Sequence, residues 1–152
     1  MRGMEPTTGY LLSDSSRLLR RAFDERVRGL GLTAAQARLV VSLLKFPDNN
    51  QSFHAERMEM EPITLTRMID RMEEAGWVER LPDPTDRRAR ILHLTPKSHA
   101  IVTGLRERID GLMTDMLDGF SDGETRDLNR LLGKISDNLS AERQQTKEAA
   151  HG

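Results

Sequence analysis

The 152-residue sequence has no cysteine, which excludes disulfides, thiolate metal sites and thiol-based redox sensing. It has no apolar run long enough to span a membrane and no charged-then-apolar N-terminus of the secretory kind, so the cytoplasm is the expected location. Catalytic signatures are missing too. There is no glycine-rich phosphate loop, no nucleophile elbow and no His-Glu metal motif, and no spacing ties serine, histidine and aspartate together. No enzyme activity, catalytic residue, cofactor or metal is therefore expected. A large charge of either sign is also lacking: the formal net charge is -1, so any contact with a polyanion must come from local positive patches.

What is present centres on residues 62–95. Leu65, Met68, Ile69 and Met72 recur at helical spacing and mark a buried stripe, with Pro62 suited to the first turn and Gly76 to the stop. Thr64, Arg67 and Arg71 fall on the opposite face, with Ile63 and Thr66 close by. Hydroxyls, guanidinium forks and a methyl-rich side chain are groups suited to base edges in a major groove. Two strand-like runs follow, Trp77–Leu81 and Arg90–Leu94, joined by a polar turn with Asp83, Pro84, Thr85, Asp86, Arg87 and Arg88. An outward-facing helix followed by an arginine-tipped hairpin outlines a winged helix on DNA.

The rest of the chain reads as helices. One begins near Tyr10 and ends at Gly29-Leu30-Gly31; its arginines 17, 20, 21, 26 and 28 are best taken as a solvated face. Thr33-Ala34-Ala35-Gln36 forms a capping box that opens a second helix, which stops near Pro47. A short helix spans about Gln51 to Glu59, and with the helix from Pro62 it makes a helix-turn-helix. Thr95-Pro96 supplies an N-cap and N1 proline for a long helix towards Gly119, and Ser121-Asp122-Gly123-Glu124 a capping box for the last. The first and the last two helices carry apolar stripes that the middle of the chain covers only in part. Burial is worth roughly 25 cal/mol per Å², so a second copy with twofold symmetry is expected. The expected fold is mainly α with a small β-hairpin wing. Residues 33–95 form the winged helix-turn-helix, 9–32 and 96–140 a helical dimerisation region from both termini, and 141–152 a flexible tail.

The run Asp86-Arg87-Arg88-Ala89-Arg90-Ile91-Leu92-His93-Leu94-Thr95 resembles the signature of the MarR family of transcription regulators. The resemblance extends back through Glu73–Arg80 and Gly31–Gln36 and covers roughly Leu11 to Leu139. It implies a homodimer that binds a pseudo-palindromic operator in double-stranded DNA, as a repressor relieved by a small aromatic or phenolic effector. Carried over by position, Thr64, Thr66 and Arg67 face bases or phosphates, and Arg87 enters the minor groove from the wing tip. Arg88 or Arg90 pairs with Asp86 to brace the turn or meets phosphate. Glu59 stands where the family often has glycine, which asks for a turn without a positive φ angle. His54 stands where leucine is usual, and Ser98 where glycine is frequent.

For His54 the plain reading is a hydrogen-bonded or half-exposed side chain rather than a sensor. Methionines such as Met68 and Met72 read as core filler, and Trp77 as packing beneath the preceding helix. The alternative to a DNA-binding regulator is a helical ligand-binding or interaction protein that has kept the fold and lost DNA binding.

Overall fold

The computed structural model describes residues 7–151. Its elements are α1 (Thr8–Arg26), α2 (Ala34–Lys45), α3 (Gln51–Arg57), α4 (Pro62–Glu74), β1 (Val78–Pro82), β2 (Arg90–Leu94), a 3-10 turn (Pro96–Ser98), α5 (His99–Met116) and α6 (Asp122–His151). The mainly helical winged-helix architecture expected from the sequence is what is found. Two compact units divide at Leu112/Met113, within α5.

In the first unit the core is a single cluster. Leu39, Val40 and Leu43 of α2, Ala55 of α3, and Leu65, Met68, Ile69 and Met72 of α4 are buried together with Val78 and Leu92 of the hairpin. The α4 residues are the four marked by helical spacing. Val27 and Leu105 belong to the same cluster, so the chain flanking the helix-turn-helix contributes to its core rather than merely leading into it. Arg108 Nη1 fixes that flank by donating to the carbonyls of Arg26 and Arg28 at 2.7 and 3.1 Å, near the end of α1. Such carbonyls have no partner inside the helix.

Helix ends are built as the sequence indicates. Thr33 Oγ1 accepts from the Gln36 amide at 3.1 Å while Gln36 Oε1 accepts from the Thr33 amide at 2.9 Å, closing the capping box of α2. Ser121 and Glu124 do the same for α6, at 3.1 and 3.0 Å. The Ser121 amide and hydroxyl hold the Glu124 carboxyl below its ordinary pKa. At the end of α4, Trp77 N donates to Met72 O and Gly76 N to Glu73 O, both at 2.9 Å, with Gly76 at φ +82°. This Schellman stop occupies the Trp77 amide, which is why β1 begins at Val78 and not at Trp77.

Two expectations are corrected, at Glu59 and at Thr95. Glu59 does take a positive φ, +52°. Met60 N donates to Ala55 O and Glu59 N to Glu56 O, the two bonds of a Schellman stop, and these hold the glutamate in a left-handed conformation that glycine adopts without strain. The same stop ends α3 at Arg57 rather than Glu59. Glu59→Gly is accordingly expected to raise stability by about 0.5–1 kcal/mol, seen as a higher urea midpoint at unchanged slope; a lower midpoint would mean the turn is not strained. Thr95, in turn, caps nothing with its side chain: its hydroxyl donates to Gly76 O, tying the end of β2 to the stop of α4. Residues 141–151 continue α6 as helix. They are rich in Ala, Glu, Arg, Gln and Lys, all strong helix formers. Gly152 lies outside the described residues.

Within the second unit α6 runs for 30 residues, and none of them is buried. In the first unit α1 has no buried residue either, with Tyr10, Leu11 and Leu18 at least half exposed.

Candidate nucleic-acid interface

Helices α3 and α4 are joined through the Glu59 turn, and α4 presents its outer face to solvent. Ile63 is 59% exposed, and Thr64, Arg67 and Arg71 are exposed beside it. Pro62 occupies the first turn, where its missing N–H removes no helical bond. Thr66 departs from expectation. Its hydroxyl donates to Pro62 O at 2.9 Å and accepts from Gln51 Nε2 at 2.6 Å, so it is spent within the fold.

The hairpin pairs Val78 with Leu94 through to Pro82 with Arg90, antiparallel. Asn50 forms an isolated antiparallel bridge to Ile91, tying the stretch before α3 to β2. Beneath it His93 Nε2 lies 3.0 Å from Asp48 Oδ1. The loop is folded on itself: Asp83 Oδ1 accepts the Thr85 amide at 2.9 Å and hydroxyl at 2.8 Å, which lowers the Asp83 pKa. Asp86 braces the tip, but by another contact than the one expected. Its Oδ1 accepts the backbone amide of Arg88 at 2.9 Å, not a guanidinium, because residue 88 lies only two positions along the turn. Arg90 Nη1 donates to Ala89 O at 3.2 Å. Among the described residues no hydrogen bond or ion pair engages the guanidinium of Arg67, Arg71, Arg87 or Arg88. By contrast Arg38 is bound to Asp24 at 2.6 Å and Arg17 to Asp14 at 2.8 Å. Four unpartnered guanidinium groups thus lie on the outer face of α4 and at the hairpin tip.

Arg80 is the participant that motif reasoning passed over. From β1 it reaches Asp70 at 2.7 Å and Glu73 at 3.3 Å, both on α4, and also donates to Thr66 O at 3.1 Å. A signal for it exists in the alternation of β1: Val78 is buried, so a side chain two residues on shares its face and needs partners there.

His54 of α3 is fully buried behind this surface. Its Nδ1 lies 2.8 Å from Ser42 Oγ, its ring meets Phe53 edge-on at 5.2 Å, and Nε2 has no partner. Burial, and then the nearby Arg57 charge, lower its pKa from the ordinary 6.5. A lowered folded-state pKa means that the unfolded chain binds the proton first. The histidine's contribution to stability is therefore present above 6.5 and is lost as pH falls towards the folded-state pKa. The thermal midpoint is expected to drop between about pH 7 and pH 5, and less so in His54→Leu, which removes both the titration and the orphaned Nε2. Equal drops in both proteins would place the loss elsewhere.

Comparison with known proteins agrees with this geometry. The MarR family model matches residues 32–89, the span from the capping box of α2 to the hairpin tip. Wild-type apo MarR from E. coli is 27% identical, with 88% of this chain and 98% of that chain covered and a TM-score of 0.72. A mutant E. coli MarR complexed with operator DNA is 28% identical over 84% of this chain and 91% of that one, at 0.67. The transcriptional regulator PA3341 is 31% identical over 89% of this chain and 99% of that chain, at 0.77. The chain belongs to the MarR family of transcription regulators.

Proposed function

We propose that two copies of this chain bind a pseudo-palindromic operator in the cytoplasm as a repressor, and that a small aromatic or phenolic effector releases them. The observation that carries the DNA-binding part is the set of four unpartnered guanidinium groups, two on the outer face of α4 and two at the hairpin tip. A helix offering Ile63, Thr64, Arg67 and Arg71 has one methyl-rich group for the thymine methyl and forks for guanine. Arg87, at the hairpin tip, is placed to lie along the backbone or in the narrow minor groove, where negative potential is strongest. Arg88 and Arg90 stand next to it for phosphate. Support for two copies comes from the bare apolar faces of α1 and α6, and twofold symmetry would set two recognition helices about one duplex turn apart. The repressor role and its effector rest on the family alone.

A gel-shift titration against the DNA upstream of the chain's own gene tests this. A saturable shift that survives excess scrambled duplex, and that aromatic acids reverse, is the expected result. If scrambled duplex competes equally, sequence-specific binding to that DNA is refuted; a shift that no aromatic acid reverses removes only the effector.

A further inference from the structure

The outer face of α4 carries acids as well as arginines. Asp70 lies one turn from Arg67, on the edge that also holds Ile63, and Glu73 lies one turn further along the flank towards β1. Carboxylates so close to a groove-reading face repel phosphate unless they are cancelled. Glu74 is exposed as well, but it ends the helix, and it is the N-terminal part of such a helix that enters the groove.

A single side chain meets both flanking acids. We propose that Arg80 serves DNA binding without touching DNA, by cancelling the charge of Asp70 and Glu73 and by fixing α4 against α3 and the hairpin. This rests on the DNA-binding reading above. Arg80 is 18% exposed, whereas its partners Asp70 and Glu73 are 58% and 44% exposed; the cation is inside and the acids are at the surface. Its guanidinium spreads its donors over two elements, α4 and α3. Nη2 takes Asp70 Oδ1 at 2.7 Å and Thr66 O at 3.1 Å, Nη1 takes Glu73 Oε1 at 3.3 Å, and Nε takes Gln51 Oε1 at 3.4 Å. The backbone amide of the same residue donates to Glu73 Oε2 at 3.1 Å. Gln51, the first residue of α3, then passes the connection on to the Thr66 hydroxyl at 2.6 Å. Lysine has the charge but not the planar fork, so it can keep the first function and not the second.

The test uses a duplex that the wild-type chain selects from a random-sequence pool and a scrambled duplex of the same composition, each titrated across a salt series. Arg80→Gln is expected to weaken binding to both by roughly tenfold at low salt, with the deficit shrinking as salt screens the exposed acids. Adding Asp70→Asn and Glu73→Gln to it should restore scrambled-duplex affinity to within about twofold of wild type. Arg80→Lys should bind scrambled duplex nearly as wild type does yet prefer the selected duplex less. A deficit in Arg80→Gln that salt does not change and that the two amides do not repair makes Arg80 a structural residue only and overturns the proposal. Should Arg80→Gln fail to melt cooperatively, Asp70→Asn/Glu73→Gln in the otherwise native chain decides. The amide oxygens still accept from Arg80, so tighter low-salt binding is expected, and unchanged binding refutes the cancelled charge. A wild-type chain that enriches no duplex brings down the DNA-binding reading itself and this assignment with it. Normal wild-type selection with an unaffected Arg80→Gln brings down the assignment alone.

Discussion

Leu131→Asp/Ile135→Asp is expected to sediment as a monomer and to lose operator affinity by on the order of a hundredfold or more. The two residues stand one turn apart on α6, on a stripe that also includes Leu128, Leu132 and Leu139. Leu131 is 48% exposed and Leu139 58%, and no residue of the helix is buried. A 30-residue helix with such a stripe spans about 45 Å, and most helical stability in proteins comes from packing an apolar face of this kind. Covered by a second copy, the stripe becomes an interior in which a carboxylate is strongly disfavoured. In the proposed dimer each subunit brings one recognition helix, so a monomer surrenders the effective concentration that tethers the second half-site. Because no residue of α6 is fully buried in the single chain and Ile135 is only partly covered, the variant should still melt as a folded protein. A folded variant that remains dimeric would place the interface elsewhere, with the α1 face around Leu11 and Leu18 the next to test.

Much of this fold could be read in the sequence because local and tertiary signals coincide. The four buried residues of α4, the capping boxes at Thr33 and Ser121 and the Gly76 stop are each set by a few neighbouring side chains. Misreadings arose where a residue's role is decided by partners distant in sequence. Thr66 lies near the outer face, but Gln51, fifteen residues earlier, takes its hydroxyl. Thr95 has the form of an N-cap, yet Gly76 is the closer claimant. Leu39 is fully buried along with Ala37, Val40 and Leu43, because α2 packs against both β2 and α3 and its buried face is wider than one stripe. Glu59 shows a different limit. A side chain that dislikes positive φ argues for an unstrained turn, but two backbone bonds impose the conformation regardless.

The candidate interface was legible to a similar degree. Arg67, Arg71 and Arg87 are exposed where periodicity and the turn had put them. Their freedom from partners is visible only in three dimensions, and it distinguishes them from Arg80, an arginine of the same hairpin that four acceptors consume. His54 was expected to be half-exposed or else hydrogen-bonded. It is hydrogen-bonded, through one ring nitrogen, while complete burial leaves the other without a partner.

The sharpest separation is expected between Arg67 and Arg87. Arg67 stands on the outer face of α4, which the proposed function assigns to base edges, so Arg67→Ala should cost about 1–3 kcal/mol on the operator and relax preference at one position of each half-site. Arg87 stands at the exposed tip of the loop held by Asp83 and Asp86, and the proposed function assigns it to phosphates and the minor groove. Its loss should weaken operator and scrambled duplex alike and flatten the salt dependence, by about one unit for each phosphate contact removed. In a twofold dimer every substitution acts twice, so Arg87→Ala should lower the slope by roughly two. Binding of both variants to both duplexes across a salt series distinguishes the roles. If Arg87→Ala leaves affinity and slope untouched, the hairpin is not a DNA-binding wing, and the unpartnered state of its arginines has another cause. If Arg67→Ala in addition leaves sequence preference unchanged, α4 does not read bases, and a chain with this fold must act through ligands or protein partners instead.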